Sequence, residues 1–187
     1  VSALAGASFA PFVTRKLGKK RGAITIGIAS MVISPLAILL RLAGVLSDGS
    51  DPLTFWTVLV LGQIDVAMVV CVQVLLASMI SDLVEQSELK TGQRSEGVFF
   101  AANTFIQKMT TGVGLMVATV VLTLAQFPAG ADPSQVSPET LASLAWHYLP
   151  ILLLLRLAMT GSMFLYSLDR QAHEANLRKL AEGGRPS

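Results

Sequence analysis

Four long runs of apolar residues constrain the fold of this chain more than any other feature. Residues 24–40 contain no charged side chain, and residues 53–81, 97–131 and 140–168 contain one each. A helix needs about 20 mostly apolar residues to cross a hydrocarbon core of about 30 Å. Charged residues make up only 14% of the chain, against roughly 25% in a soluble domain. The sequence therefore predicts an all-α membrane protein with four full transmembrane helices.

A partial fifth helix is expected at the start of the chain. Residues 1–13 are apolar, and no basic segment precedes them as it would in a signal peptide. We interpret them as the end of a truncated transmembrane helix, and the chain as a C-terminal fragment of a longer protein. The predicted segments are, in order, this truncated helix (1–13), a basic cytoplasmic loop (14–22), a transmembrane helix (23–46), an outer loop (47–53), a transmembrane helix (54–81), a charged cytoplasmic loop (82–96), a transmembrane helix (97–126), an outer loop (127–143), a transmembrane helix (144–168) and a cytoplasmic tail (169–187).

The basic residues predict which side of the membrane each loop occupies. Lysines and arginines are present in the first loop, the third loop and the tail, and absent from the second and fourth loops. An excess of these residues marks the cytoplasmic side. We therefore expect a multi-pass protein of the plasma (inner) membrane with a cytoplasmic C-terminus. The residues are Arg15, Lys16, Lys19, Lys20, Arg21, Lys90, Arg94, Arg170, Arg178, Lys179 and Arg185.

Three charged residues lie near the middle of predicted spans: Asp65, Lys108 and Arg156. Such a residue at a helix centre costs roughly 2.5–3.5 kcal/mol to insert, and it is retained where it faces protein or water, near a partner. Asp65 either binds a proton or cation or neutralises Lys108, and the sequence leaves both alternatives open. Arg156 has no carboxylate on its own helix, so we expect its partner elsewhere.

Lys108 belongs to a polar stripe on its predicted helix. Helical spacing places Phe100, Thr104, Lys108 and Thr111 on one face. Two glycines follow the stripe, and small residues favour close approach of membrane helices. The pattern indicates either a helix that lines an aqueous cavity or an ammonium group that pairs with a carboxylate and holds helices together.

The charged segment "DLVEQSELKTGQRSEG" at 82–97 separates two apolar runs. If the segment is helical, Asp82, Glu85 and Glu88 form one acidic edge at the end of the preceding span. The "KTG" sequence then ends the helix, and Arg94 and Glu96 begin the next one. Exposed ion pairs contribute only about 0–1 kcal/mol each, which suits a switch between states of similar energy. We interpret the segment as a cytoplasmic gate.

The stretch "SDLVEQSELKTGQRSEGVFFAANTFIQK" resembles the signature of the glycoside–pentoside–hexuronide:cation symporters, a branch of the major facilitator superfamily. That family has an acidic D-x-x-[DE]-x-x-E-x-K-T-G-x-R-x-E-G loop, followed by a single lysine within the next helix. The opening "PFVTRKLGKKR" is similar to another basic loop of the family. The resemblance implies the C-terminal bundle of a facilitator fold.

The resemblance also implies roles for individual residues. Lys108 would lie near the sugar and cation sites, with Thr104 and Asn103 facing the same cavity. Gln73 stands where better-known members carry an aromatic that packs on the sugar; by itself it could bind a ligand or another helix. Most sugar-binding and cation-binding residues of the family lie in an N-terminal half, which would be the missing partner of this chain.

The predicted function is secondary active transport, with a sugar (glycoside) carried together with Na⁺ or H⁺ by alternating access across the bilayer. We expect no resident cofactor, metal or nucleic acid, and no enzymatic activity, because no nucleophile–base pair, phosphate-binding loop or metal spacing is present. Cys71 is the single cysteine and is expected to pack between helices. The alternatives are a transporter of lysophospholipid or another amphiphile, and a non-transporting membrane paralogue.

Overall fold

The computed structural model describes residues 1–47, 51–93, 95–128, 130 and 136–165. These residues form helices and contain no strand. Arg94 and the predicted tail, 169–187, lie outside the described residues. The elements are α1 (Ser2–Leu17), α2 (Lys19–Leu42), α3 (Pro52–Thr91), α4 (Glu96–Leu124), α5 (Pro138–Ser162) and a short 3₁₀ segment (Met163–Leu165).

The described part of the chain contains four helices long and apolar enough to cross a membrane: Lys19–Leu42, Pro52–Leu89, Glu96–Leu124 and Pro138–Ser162. They match the four spans predicted from the apolar runs, so the predicted fold class is confirmed. The helices alternate in direction. The α1–α2 junction, the end of α3, the start of α4 and the end of α5 therefore lie together, at what we call the basic end.

Helices extend further at the basic end than the apolar runs suggest. The predicted loop 14–22 is reduced to Gly18, whose φ of 78° turns the chain between α1 and α2. The predicted loop 82–96 is helical as far as Thr91. The reason is that leaving the hydrocarbon does not end a helix, because charged residues such as Glu and Lys are good helix formers in water.

Capping interactions determine where α3 begins and ends. Asp51 caps its start, because the Leu53 N–H and the Ser47 hydroxyl donate to the carboxylate at 3.0 Å and 2.7 Å. These two bonds, that of Ser47 foremost, lower the pKa of Asp51 from its ordinary value of 3.8. At the other end Gly92 adopts the left-handed conformation with φ of 69° and donates to the Glu88 carbonyl. The sequence predicted this break at "KTG".

The core lies between α1, α2 and α3, towards the basic end. It is built from small and branched apolar side chains, and Leu75 and Cys71 are both 1% exposed, so Cys71 packs between helices as predicted. Gly6 brings α1 against α3, since a Cβ there would lie 2.2 Å from the Ala67 carbonyl oxygen. The buried cluster comprises Ala10, Val13, Ala23, Ile26, Cys71, Val72, Leu75 and Met163.

Helix α4 stands apart from this core. Val121 is its only buried residue, although all of Glu96–Leu124 is described. Its large apolar side chains, such as Phe105, Leu115 and Met116, are exposed. The helix that carries Lys108 therefore presents most of its surface to whatever surrounds this bundle.

Candidate functional site

Two of the mid-span charges form an ion pair with each other. The Arg156 guanidinium on α5 donates through Nη2 to both carboxylate oxygens of Asp65 on α3, at 3.1 Å to Oδ1 and 3.0 Å to Oδ2. The side chains are 24% (Asp65) and 19% (Arg156) exposed. Because the pair is half-buried and its charges are opposite, each group offsets the cost of placing the other at this depth.

Two serines of α2 complete this cluster. Ser30 and Ser34 lie one helical turn apart, and their hydroxyls donate to Asp65 Oδ1 at 3.1 Å and to Oδ2 at 3.4 Å. Both hydroxyl oxygens also accept from Arg156, Ser30 from Nη1 and Ser34 from Nη2 at 3.1 Å. Three helices thus meet at what we call the midspan cluster: Ser30, Ser34, Asp65 and Arg156.

The midspan cluster tests the partners predicted for Arg156 and Asp65. Arg156 has its carboxylate partner on another helix, as expected. The alternative in which Asp65 neutralises Lys108 is wrong, because Asp65 pairs with Arg156. Ser30 and Ser34 were not singled out in the sequence, although two serines four residues apart within an apolar run are a usable signal.

Lys108 lies on an open face of α4. Its side chain is exposed, and it makes no hydrogen bond or ion pair with any part of the chain that the structure describes. Thr104 is also exposed and donates its hydroxyl to the Phe100 carbonyl one turn earlier, at 2.9 Å, while Asn103 is half-buried. The predicted polar stripe therefore exists as a surface of the helix.

The glycines after this stripe make no close helix contact within the described residues. A Cβ added to Gly112 or Gly114 would find nothing within 4 Å. The close approach that they were expected to allow is therefore not made by α1, α2, α3 or α5. Gln73 on α3 is likewise exposed, next to the buried Val72, so the structure joins neither Gln73 nor Lys108 to the midspan cluster.

At the basic end, Asp82 is held inside the bundle. Both of its carboxylate oxygens accept from the Lys19 ammonium, at 2.6 Å and 2.8 Å, and its side chain is only 8% exposed. Glu85 and Glu88 follow on the same helix and are half-buried. Arg94, the other predicted gate residue, lies outside the described residues, so the gate role of this segment stays a prediction.

A groove of about 750 Å³ opens at the opposite end of the bundle. It lies between α2, α3 and α5, with mostly apolar walls, and Arg41 and Tyr148 are among its lining residues. None of the predicted site residues lines it. Within the described residues no group of His, Cys, Asp or Glu side chains could hold a metal ion.

These features define a multi-pass helical membrane protein with a charged cluster at mid-span and a lysine on an open helix face. A family model described as "MFS/sugar transport protein" matches residues 1–170. The chain belongs to this family, a sugar-type branch of the major facilitator superfamily. No curated protein and no solved structure matches the chain. Membership of this family points to a membrane transporter rather than an enzyme.

Proposed function

We propose that this protein is a secondary active transporter that moves a sugar (glycoside) together with Na⁺ or H⁺ by alternating access. The observation that carries the proposal is Lys108, an ammonium group exposed near the middle of the membrane-spanning helix α4. An ionisable residue at this depth faces a bundle interior or a water-filled cavity in membrane proteins. The open face of α4 is then one wall of an aqueous passage.

The chemistry of the polar stripe suits a sugar. The Lys108 ammonium has three donors and no acceptor. The Thr104 hydroxyl on the same face donates to the Phe100 carbonyl and keeps its lone pairs as acceptors. Sugar hydroxyls both donate and accept, so this pair matches them. Phe100, one-third exposed on the same face, supplies an apolar ring at the edge of the stripe. Substrate sites of such transporters lie near the bilayer midplane between two helical bundles.

The other wall of the passage is proposed to come from a second helical bundle, the N-terminal half expected from the resemblance. A face that carries Lys108, Gly112 and Gly114 suits such a partner, because nothing in the described residues fills the space beside either glycine. In this proposal the second bundle supplies the acidic cation ligands, and Lys108 senses their occupancy through its charge.

We place the basic end in the cytoplasm and the protein in the plasma (inner) membrane, with a cytoplasmic C-terminus, on the positive-inside rule. The charged segment on α3 then lies at the cytoplasmic mouth of the passage. Glu85, Glu88 and Arg94 are proposed to form ion pairs with the second bundle when that mouth is closed. Asp82 contributes by fixing the end of α3 through Lys19.

A lysophospholipid or another amphiphile is the second candidate substrate. The groove between α2 and α5 supports it, because its apolar walls and Arg41 suit an acyl chain and a phosphate. In this version the lipid enters sideways from the outer leaflet, with its headgroup at Arg41 and its acyl chain along the apolar walls of the groove.

The test is uptake of labelled substrates into proteoliposomes that contain the complete encoded protein, with and without a Na⁺ or H⁺ gradient. We expect gradient-dependent uptake of a sugar, and its loss in Lys108→Ala although the variant still reaches the membrane. Thr110→Ala is the matched control, since this exposed threonine lies on the opposite face of α4. Lipid uptake alone would favour the second candidate.

The proposal fails in two recognisable ways. Normal coupled uptake by Lys108→Ala would remove this lysine from the site. No gradient dependence for any sugar or lipid would instead favour a membrane paralogue that does not transport.

A further inference from the structure

The carboxylate oxygens of Asp65 accept hydrogen bonds from other side chains of the protein. Each carboxylate oxygen accepts one serine hydroxyl and one guanidinium N–H, so that four contacts of 3.0–3.4 Å surround the group. An ionised carboxylate offers about four lone-pair positions. A transported cation would therefore have to compete with these four contacts for the carboxylate of Asp65.

The charge of Arg156 works against cation binding as well. A cation on Asp65 would lie next to a guanidinium whose Nη2 is already 3.0 Å from the carboxylate. Like charges at such short range repel strongly where the dielectric constant is low. Moving Arg156 away would leave its charge unpaired at mid-span, where an unpaired charge is costly.

The cluster also joins three helices through their side chains near the middle of the span. Ser30 and Ser34 come from α2, Asp65 from α3 and Arg156 from α5. One turn away, Gly27 allows α2 to approach α5 closely, because a Cβ there would lie 2.7 Å from the Thr160 hydroxyl oxygen. The close crossing brings Arg156 within reach of both serines.

We propose that Asp65 and Arg156 are positioning residues, which hold α2, α3 and α5 together through the transport cycle, and that the coupled cation is carried elsewhere. This inference deepens the proposed function and rests on it, because it assumes that a cation is transported together with the substrate. It resolves the alternatives for Asp65 in favour of a fixed structural charge, and it leaves Lys108 on α4 as the mid-span charge that faces the passage.

The experiment compares three variants of the complete encoded protein: Asp65→Asn, Arg156→Gln and the neutral double Asp65→Asn/Arg156→Gln. Each single change leaves one charge unpaired at mid-span. We expect the thermal unfolding midpoint of each single variant to fall by roughly 5–10 °C. The neutral double variant should recover at least half of that loss, because neither charge is then left without its partner.

Transport separates positioning from cation binding. We expect the neutral double variant to keep gradient-driven accumulation of the sugar, with the same cation dependence as the wild type. A residue that carried the cation would behave differently: the double variant would be stable and would still exchange sugar across the membrane, yet a gradient would no longer drive accumulation. That result would overturn the inference.

The unfolding temperatures alone can also refute the positioning role of Asp65 and Arg156. If both single variants unfold at the wild-type temperature, the pair does not hold the helices, whatever transport shows. Thr25→Val is the matched control, an exposed α2 residue whose hydroxyl only donates to the Arg21 carbonyl. Should the wild type show no gradient dependence, the proposed coupling fails, while the stability comparison still tests the positioning role.

Discussion

Replacing Asp82 with alanine tests whether the charged segment braces the bundle or acts only as a gate. The Asp82 carboxylate lies at the basic end of α3 with both oxygens on the Lys19 ammonium, at 2.6 Å and 2.8 Å. Its side chain is 8% exposed, against 26% for Lys19. The pair ties the end of α3 to the start of α2, next to the buried core.

The expected loss of stability follows from the difference in exposure between Asp82 and Lys19. A hydrogen bond to a charged group contributes about 1.5–3 kcal/mol, and these two bonds share one donor. After Asp82→Ala the Lys19 ammonium regains some hydration, because its long side chain can reach water. We therefore expect a loss of about 2–3 kcal/mol, which corresponds to a fall of roughly 5–10 °C in the unfolding midpoint of a chain of this size.

The assay is thermal unfolding of purified protein, arranged as a double-mutant cycle with Lys19→Gln, Asp82→Asn and their combination. The neutral combination retains a donor and an acceptor, so it should be more stable than the two single losses predict together. Additive losses would refute a direct brace between Lys19 and Asp82. Wild-type stability of Asp82→Ala together with altered transport would assign Asp82 to the gate alone.

Three further predictions concern other parts of the bundle. Gly6→Ala should destabilise the protein by about 1–3 kcal/mol, because its Cβ would meet the Ala67 carbonyl at 2.2 Å, whereas Gly62→Ala, with nothing within 4 Å, should be neutral or slightly stabilising in the same unfolding assay. The lowered pKa of Asp51 means that its cap stabilises the fold above pH 3.8 and is lost as the pH falls through the lowered folded value; an Asp51→Asn variant that kept the same acid sensitivity of the unfolding midpoint would contradict this. Arg94→Ala should shift the protein towards its inward-open state, measured as greater labelling of introduced cysteines from the cytoplasmic side, and unchanged labelling would count against the gate.

Much of the fold is predictable because each membrane-spanning helix requires a long apolar run, which is visible in the sequence. Apolar runs of sufficient length fixed the four spans, and the "KTG" sequence indicated where α3 ends. The helix ends at the loops 14–22 and 82–96 were not predictable from hydropathy. Charged residues mark where the bilayer stops, whereas capping groups such as Gly18 and Gly92 decide where the helix stops.

Less of the candidate site than of the fold could be predicted from the sequence. The cost of a charge at mid-span identified Asp65, Lys108 and Arg156 as residues that need partners, and correctly placed the partner of Arg156 on another helix. It did not identify Arg156 as the partner of Asp65, because Lys108 was the only side chain considered for that role. The pairing depends on which helices are neighbours, and the close crossing of Gly27 with Thr160 is a property of the packed bundle.

The central claim is that Lys108 borders a water-accessible passage, and its accessibility tests this most directly. The measurement is labelling of Lys108→Cys in membranes with a charged, membrane-impermeant thiol reagent, with Ile106→Cys on the opposite face of α4 as the control. The native Cys71 is 1% exposed, so background labelling should be low. We predict rapid labelling at position 108 that a transported sugar slows, and little at position 106. Equal resistance at both positions would place Lys108 in a dry environment and contradict the account.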